Sequence, residues 1–370
     1  MNRLTRVKLT GFKSIREMDL RLGNLTVLIG ANGAGKSNLT SLFQMLNHAM
    51  SGHLRVHVAE RGRAKSFLHH GPAHTQQVAV DLEYECEQGT NLYHARLGFA
   101  AGDSLIFTDE TVAFRRGDQR EADAPESLGV GHTESLLKQA GEEGNETALF
   151  AYNSLSRWRF YQFHDTSATA GIRLGRSMRD SDYLRHDGSN LAAYLQRLLR
   201  TEPDCYRKII ETIRLAAPFF DDFDLEPLVD SPDEVMLNWH AAGDDYPYGA
   251  HQLSDGTLRF MALATLLLQP TGNMPSLVVI DEPELGLHPY ALGLLGSMVR
   301  AVTESVQVIM ATQSVSLVDE FEPSDIVVVE QRDGQSTFER LDTIGLSGWL
   351  DAYSVSELWE KNVIGGRPRR

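Results

Sequence analysis

The chain has 370 residues, 42% of them hydrophobic and 23% charged, which is enough apolar content for a real core in one large domain or two ordinary ones. A net charge of -15 and a pI near 5.3 exclude a surface that is basic throughout, so any nucleic-acid contact must come from local patches. The N-terminal MNRLTRVKLTGFKS lacks the apolar core of a signal peptide, and the longest apolar run, about Phe260 to Leu268, falls far short of the ~20 residues of a membrane span. Cys86 and Cys205 form no metal-spaced set and suit a reducing compartment, so the expectation is a cytoplasmic protein without membrane contact.

In chain order, Leu4 to Thr10, the turn around Gly11-Phe12-Lys13-Ser14-Ile15 and Met18 to Leu22 read as a hairpin. The apolar strand Val27-Leu28-Ile29 then runs into Gly30-Ala31-Asn32-Gly33-Ala34-Gly35-Lys36-Ser37, which fits GxxxxGK[ST] at every specified position. Asn38 to Met50 follows as a helix with Leu39, Leu42, Phe43 and Leu46 at helical spacing. At such a strand-to-helix junction, glycines let backbone N–H groups wrap a phosphate chain and the helix N-terminus adds partial positive charge. Lys36 reaches the terminal phosphates there, and the Ser37 hydroxyl can ligate Mg²⁺. A plain glycine turn is the bland alternative, and the required flanks weigh against it.

His53 to His74 is polar and basic, with Arg55, Arg61, Arg63 and Lys65 among its histidines. Its spacing matches no zinc pattern, so it reads as a solvated loop, DNA-facing or not, ahead of a metal cluster. Residues 78–85, 91–99, 104–108 and 110–116 read as an antiparallel meander, and 122–145 as a loop and the best internal linker. Trp158 to Phe163 is an aromatic strand, and Arg173, Arg176, Arg179 and Arg185 after it either contact phosphates or are solvated. Ser189 is the expected N-cap of a helix over 190–200, and Pro203 opens another over 204–217 with Tyr206, Ile209, Ile210 and Ile213 on one face. Neither continues into heptads, which excludes a long coiled-coil arm. Residues 223–228 and 235–240 read as a strand pair.

Leu253-Ser254-Asp255-Gly256-Thr257 opens a helix ended by Pro270. Ser254 is its natural N-cap, and a serine and a glycine at a helix start can also bind an anion. Leu277-Val278-Val279-Ile280-Asp281-Glu282 is a buried strand ending in paired carboxylates, where the Asp can hold the Mg²⁺ shell and the Glu can orient or deprotonate a water. A strand with an acidic turn is the bland alternative. A helix over 290–302, a buried strand over 306–311, then Thr312-Gln313-Ser314 follow, placing Gln313 at the strand edge where open α/β sheets bind ligands, as a phosphate or water contact or a mere turn residue. Residues 325–330 and 337–341 supply the last strands, and 365–370 a short basic tail.

The ordered set GFKSI, GANGAGKS, LSDGT, LVVIDEPELGLHP and ATQS resembles the ATP-binding-cassette ATPases of the SMC and RecF type, especially the stand-alone ATPases related to the OLD family. It covers about residues 1–50 and 250–345. The resemblance implies an α/β P-loop NTPase: an ABC-ATPase head with a mixed central sheet, an antiparallel β meander and a helical signature lobe. It places Walker A at Gly30, Ala31, Asn32, Gly33, Ala34, Gly35, Lys36 and Ser37, with Asn38 beside it, the signature at Ser254 and Gly256, Walker B at Asp281 and Glu282, and the D-loop at Glu284 to His288. Such ATPases sandwich two ATP molecules between two heads, so an ATP-dependent homodimer with Mg²⁺ is implied. Three departures stand out: Asp255 replaces a signature glycine, Gln313 occupies the place of a switch histidine, and neither a coiled-coil arm nor room for a nuclease domain is present. Gln162 competes with Gln76 and Gln77 for the Q-loop.

The expected organisation is one composite ATPase domain, with 1–120 an ATP-binding lobe, 121–250 an insertion, 251–345 the signature and C-terminal lobe and 346–370 a tail. The leading function is an ATPase with Glu282, Lys36 and Gln313 as catalytic residues, coupled to DNA or to a separately encoded nuclease or effector in DNA repair or phage defence. A transporter ATPase and a slow nucleotide switch that docks a partner are the alternatives.

Overall fold

The computed structural model describes residues 2–119 and 121–367. The end of the basic tail, 368–370, lies outside the described residues. The chain divides into two compact units, 1–158 with 322–370, and 159–321, so the boundaries expected at 120, 250 and 345 fall within units.

The first unit opens with the hairpin β1 (Arg3–Phe12) and β2 (Ile15–Arg21), followed by β3 (Leu25–Ile29), buried along its whole length, and α1 (Lys36–Met50). The next stretch is not a solvated loop. It forms α2 (Leu54–Glu60) and a short 3₁₀ turn, with His57 and His69 buried and the His57 ring stacked 4.3 Å from His48. Its arginines 55, 61 and 63 and Lys65 remain exposed.

The meander is β4 (Gln77–Cys86), β5 (Gly89–Ala100) and β6 (Ser104–Arg116), in a six-stranded antiparallel sheet ordered β2-β1-β4-β5-β6-β7, where β7 is Glu126–Gly129. Alternation drives it: Val78, Val80, Leu82 and Tyr84 of β4 all face the core. The two strands expected over 104–116 are one. Glu110, expected as the first residue of the second of them, is fully buried because Tyr93 Oη, Ser135 Oγ, His132 Nε2 and the Leu136 N–H all surround its carboxylate at 2.6–2.9 Å.

Residues 122–145 are no linker either. They hold β7 and α3 (Leu137–Glu142), and Glu134 accepts the first N–H groups of α2 from Leu54 and Arg55 at 2.9 and 3.0 Å. Asn145 then caps α4 (Glu146–Ser156), whose C-terminal carbonyl of Leu155 receives Asn47 of α1 at 2.8 Å.

The second unit begins along β8 (Trp158–Tyr161) and carries the packed helices α5 (Leu191–Thr201) and α6 (Pro203–Ala216), with the expected Tyr206, Ile209, Ile210 and Ile213 buried. Asn190, not Ser189, stands at the start of α5; its side chain binds the carbonyls of Asp180 and Tyr183 at 2.8 Å and so pins the preceding loop. β9 (Phe220–Asp224), β10 (Asn238–Ala241) and β11 (Pro247–Gly249) form a small sheet. The buried helix α7 (Asp255–Leu268) leads to β12 (Leu277–Asp281), α8 (Pro289–Val302) and β13 (Gln307–Thr312), with β12 and β13 parallel and β8 beside β12.

The chain returns to the first unit through β14 (Ile326–Arg332), parallel to β3, β15 (Gln335–Arg340) and α9 (Val355–Glu360). Among the described residues no helix exceeds the 15 residues of α1, and none is long and apolar enough to cross a membrane.

Candidate functional site

In the first unit the phosphate loop links β3 to α1. Gly30 and Gly35 have φ of 155° and 117°, and a Cβ on them would lie 2.2 Å from Val329 O and 2.1 Å from Ser336 Oγ, so neither position admits a side chain. Gly33, at φ 78°, faces open space. The Lys36 ammonium is folded back on the loop, donating to Gly30 O at 2.6 Å and Ala31 O at 3.1 Å. α1 has neither a side-chain cap nor an acidic residue in its first turn, and Ser37 is exposed beside it. That combination fits an anion: uncapped N–H groups, the positive end of the helix and an adjacent cation, with no competing carboxylate.

Asn38, expected among the binding residues, ties its side chain to the GFKSI turn. Its Nδ2 donates to Ser14 Oγ at 2.6 Å, Ser14 lies 2.6 Å from Ser336 Oγ, and Ser336 reaches Ala34 O at 2.6 Å. Lys13 of the GFKSI turn donates to Ser41 of α1 and lies over the rings of Phe12 and Phe67, and burial lowers its pKa.

The second unit gathers the remaining candidates. Glu282 follows β12 with φ 46°, a conformation few non-glycine residues adopt, while its N–H still pairs with Ala311 O at 2.8 Å. Gln313 is brought against it: Gln313 Nε2 donates to Glu282 Oε1, and the Gln313 N–H donates to Glu284 Oε1 at 2.7 Å. The second Glu284 oxygen is buried without a hydrogen-bond partner.

His164, which no sequence argument singled out, approaches from another side, its Nε2 3.2 Å from Asp281 O and 3.8 Å from Glu282 Oε2. Gln162 lies 3.0 Å from its Nδ1, whereas Gln76 and Gln77 lie at the start of β4 in the other unit.

Ser254 caps α7 by accepting from Thr257 N at 3.1 Å and stays exposed. Gly256, expected beside it among the binding residues, lies in close contact with the turn after β12. A Cβ there would meet Gly286 O at 2.0 Å, so the glycine lets α7 touch the Glu284–His288 turn. Arg173 is neither a phosphate contact nor solvated. Its guanidinium, 7% exposed, donates to the carbonyls of Thr166, Ala250 and Leu253 and pairs with Asp255 at 2.8 Å. Asp255, where the resembled motif has glycine, thus holds the loop that presents Ser254; Thr166 and Arg173 keep its carboxyl below the usual range. Arg259 binds the carbonyls of Phe163, His164 and Leu285, joining α7 to the His164 segment. Arg176, Arg179 and Arg185 are exposed, the last paired with Asp180 at 2.7 Å. Among the described residues no three metal-ligating side chains cluster.

A family model described as AAA domain, putative AbiEii toxin, type IV TA system matches residues 25–319. No curated protein sequence matches. Among solved structures, the fold is similar to an Smc head bound to the C-terminal winged-helix domain of ScpA, at 14% identity and a TM-score of 0.61 over 93% of this chain and 99% of that one. It is similar also to an Smc head with an extended coiled coil bound to the C-terminal domain of ScpA from Pyrococcus furiosus, at 14% identity and TM-score 0.59 over 95% and 99%. A third is the SMC head domain from Thermotoga maritima, at 13% identity and TM-score 0.51 over 92% and 99%. At such identities these likenesses establish an SMC-head P-loop fold.

Proposed function

Because the chain belongs to the family of AAA domains described as a putative AbiEii toxin of a type IV TA system, we propose that it is an ATP-hydrolysing head ATPase that works as a homodimer. The observation that carries this reading is the uncapped, acid-free start of α1 behind a glycine loop, with Lys36 parked on loop carbonyls that phosphate oxygens can replace.

Mg²⁺–ATP, when bound, supplies the phosphoryl electrophile and the cation that neutralises its oxygens. Gly30 to Gly35 would wrap the phosphates, Lys36 would exchange its carbonyl partners for phosphate oxygens, Ser37 would ligate Mg²⁺, and Asp281 is assigned to the same ion by the likeness of its motif to Walker B. Asn38 steadies the loop. Glu282 takes the proton of the attacking water, Gln313 orients its carboxylate, and Gln162 serves as the Q-loop residue. Ser254 meets the nucleotide held by a second chain, with Gly256 and Arg173 setting its loop. The test is turnover and nucleotide binding of Lys36→Ala: both fall sharply on this reading, and unchanged turnover sinks it.

The role assigned is coupling of ATP-driven dimerisation to a partner. The family description names a toxin of a TA system, which favours defence over repair, and two of the matched Smc heads carry bound ScpA domains, which favours a protein effector docked on the head. The exposed Arg55, Arg61, Arg63 and Lys65 are the best local patch for DNA. A nucleotide switch with little hydrolysis is the second reading, favoured by the engagement of Glu282 by an amide instead of a histidine at position 313.

A further inference from the structure

The segment around α9, expected as a plain tail, is docked within the first unit. Val355, Leu358 and Trp359 are buried, and beyond them Gly365 and Gly366 take consecutive left-handed conformations at φ 79° and 83°. The Gly366 N–H donates to Glu330 Oε1 at 2.5 Å, and its carbonyl accepts from the N–H of Ala31, inside the phosphate loop, at 2.9 Å. Glu330 is itself buried and held by Arg332 at 2.7 Å. A Cβ on Gly365 would lie 2.5 Å from Glu330 Oε1, and one on Gly366 3.0 Å from the Trp359 indole nitrogen and 3.1 Å from Val328, so a side chain at either is crowded and strained by the positive φ. A cavity of about 270 Å³ beside this contact is lined by Asn32, Gly33 and Arg367.

We propose that the Gly365-Gly366 turn is a positioning element of the nucleotide site: through the Gly366 O to Ala31 N bond it holds the phosphate loop in its binding shape. The physical argument is preorganisation. A glycine-rich loop loses more freedom on ordering than any other backbone, and a loop already tied at Ala31 loses less when a nucleotide binds. By linkage, a nucleotide that favours the ordered loop must in turn favour docking of residues 365–367. Anything that pulls this segment away, such as a protein partner seizing it, weakens nucleotide binding. The inference rests on Gly30 to Ser37 being the nucleotide loop.

The test measures, on the full chain, the Kd of a fluorescent ATP analogue and the hydrogen exchange of the peptide containing Gly366, with and without a non-hydrolysable ATP analogue. Gly366→Pro removes the N–H and cannot adopt the positive φ. It is expected to weaken nucleotide binding about five- to tenfold, the loss of one or two hydrogen bonds. Gly348→Ala, in the same segment with open space around its Cβ, is expected to bind like the parent chain. In the parent chain the nucleotide is expected to slow exchange at Gly366, and in Lys36→Ala it is not. An unchanged Kd in Gly366→Pro, or for a variant that does not fold, exchange at Gly366 indifferent to nucleotide in the parent, overturns the proposal while Lys36-dependent binding leaves the nucleotide-loop reading standing. A parent chain that binds no nucleotide removes both.

Discussion

Gln313 donates its side-chain amide to Glu282, so the carboxylate at the end of β12 is held by a neutral group that cannot take up a proton. If Glu282 is the general base, Glu282→Gln should lower turnover by about 10²- to 10⁴-fold while retaining ATP binding. Gln313→Ala, which frees the carboxylate without removing it, should cost much less in kcat and leave KM little changed. Steady-state kinetics of the two variants decide this, and equal losses would contradict the assigned roles.

The loop presenting Ser254 depends on Arg173, whose guanidinium serves carbonyls of three residues and Asp255. Arg173→Ala removes the side-chain donor from those carbonyls, of which only that of Ala250 keeps a backbone partner, the Leu253 N–H, among the bonds seen here, and should destabilise the fold by about 1–3 kcal/mol, measured by chemical denaturation. Asp255→Gly removes one partner and keeps the carbonyl clamp, so its cost should be smaller; the reverse order would refute the clamp.

Gly256→Ala forces a methyl to within 2.0 Å of Gly286 O, so α7 or the 284–288 turn must shift. About 1–3 kcal/mol of stability should be lost, as for other overpacked positions. A thermal melt unchanged from the parent would show that the contact yields freely.

Burial pushes the His57 pKa down to about 4, with the neighbouring His48 shifted the same way. The unfolded chain binds its proton near the ordinary value of about 6.5, so between there and pH 4 the unfolded state carries more protons and stability falls as pH drops. Above about pH 7 the contribution is complete and flat. Urea midpoints measured from pH 7.5 to 4.5 should show a shallower acid limb for His57→Phe than for the parent chain, and parallel limbs would contradict it.

Direct DNA binding through Arg55, Arg61, Arg63 and Lys65 predicts duplex affinity that falls steeply with salt, and a shallower slope when two of these are replaced by Ala. Binding absent with and without ATP would remove DNA as a ligand.

The strands, the phosphate loop, the Ser254 cap and the β12 carboxylates were legible because each rests on local signals: alternation, motif spacing and capping residues. What escaped depends on partners far away in the chain. Nothing local to Glu110 shows that Tyr93, His132 and Ser135 surround its carboxylate, and α2 hides in a histidine-rich stretch whose His57 ring is stacked on His48. Arg173 and His164 find their partners 77 and 117 residues away, a pairing no window of sequence displays. Position 366 looked like tail because two glycines carry no apolar signal.

The central claim is that a nucleotide on one chain is completed by Ser254 of a second. Lys36→Ala and Ser254→Arg chains, each assayed alone and then mixed, test it most directly. Each should be inactive by itself, and the mixture should recover ATP hydrolysis, since the mixed dimer holds one site with an intact phosphate loop facing an intact Ser254. Ser254→Arg active alone, or a mixture as inactive as its parts, would contradict the account.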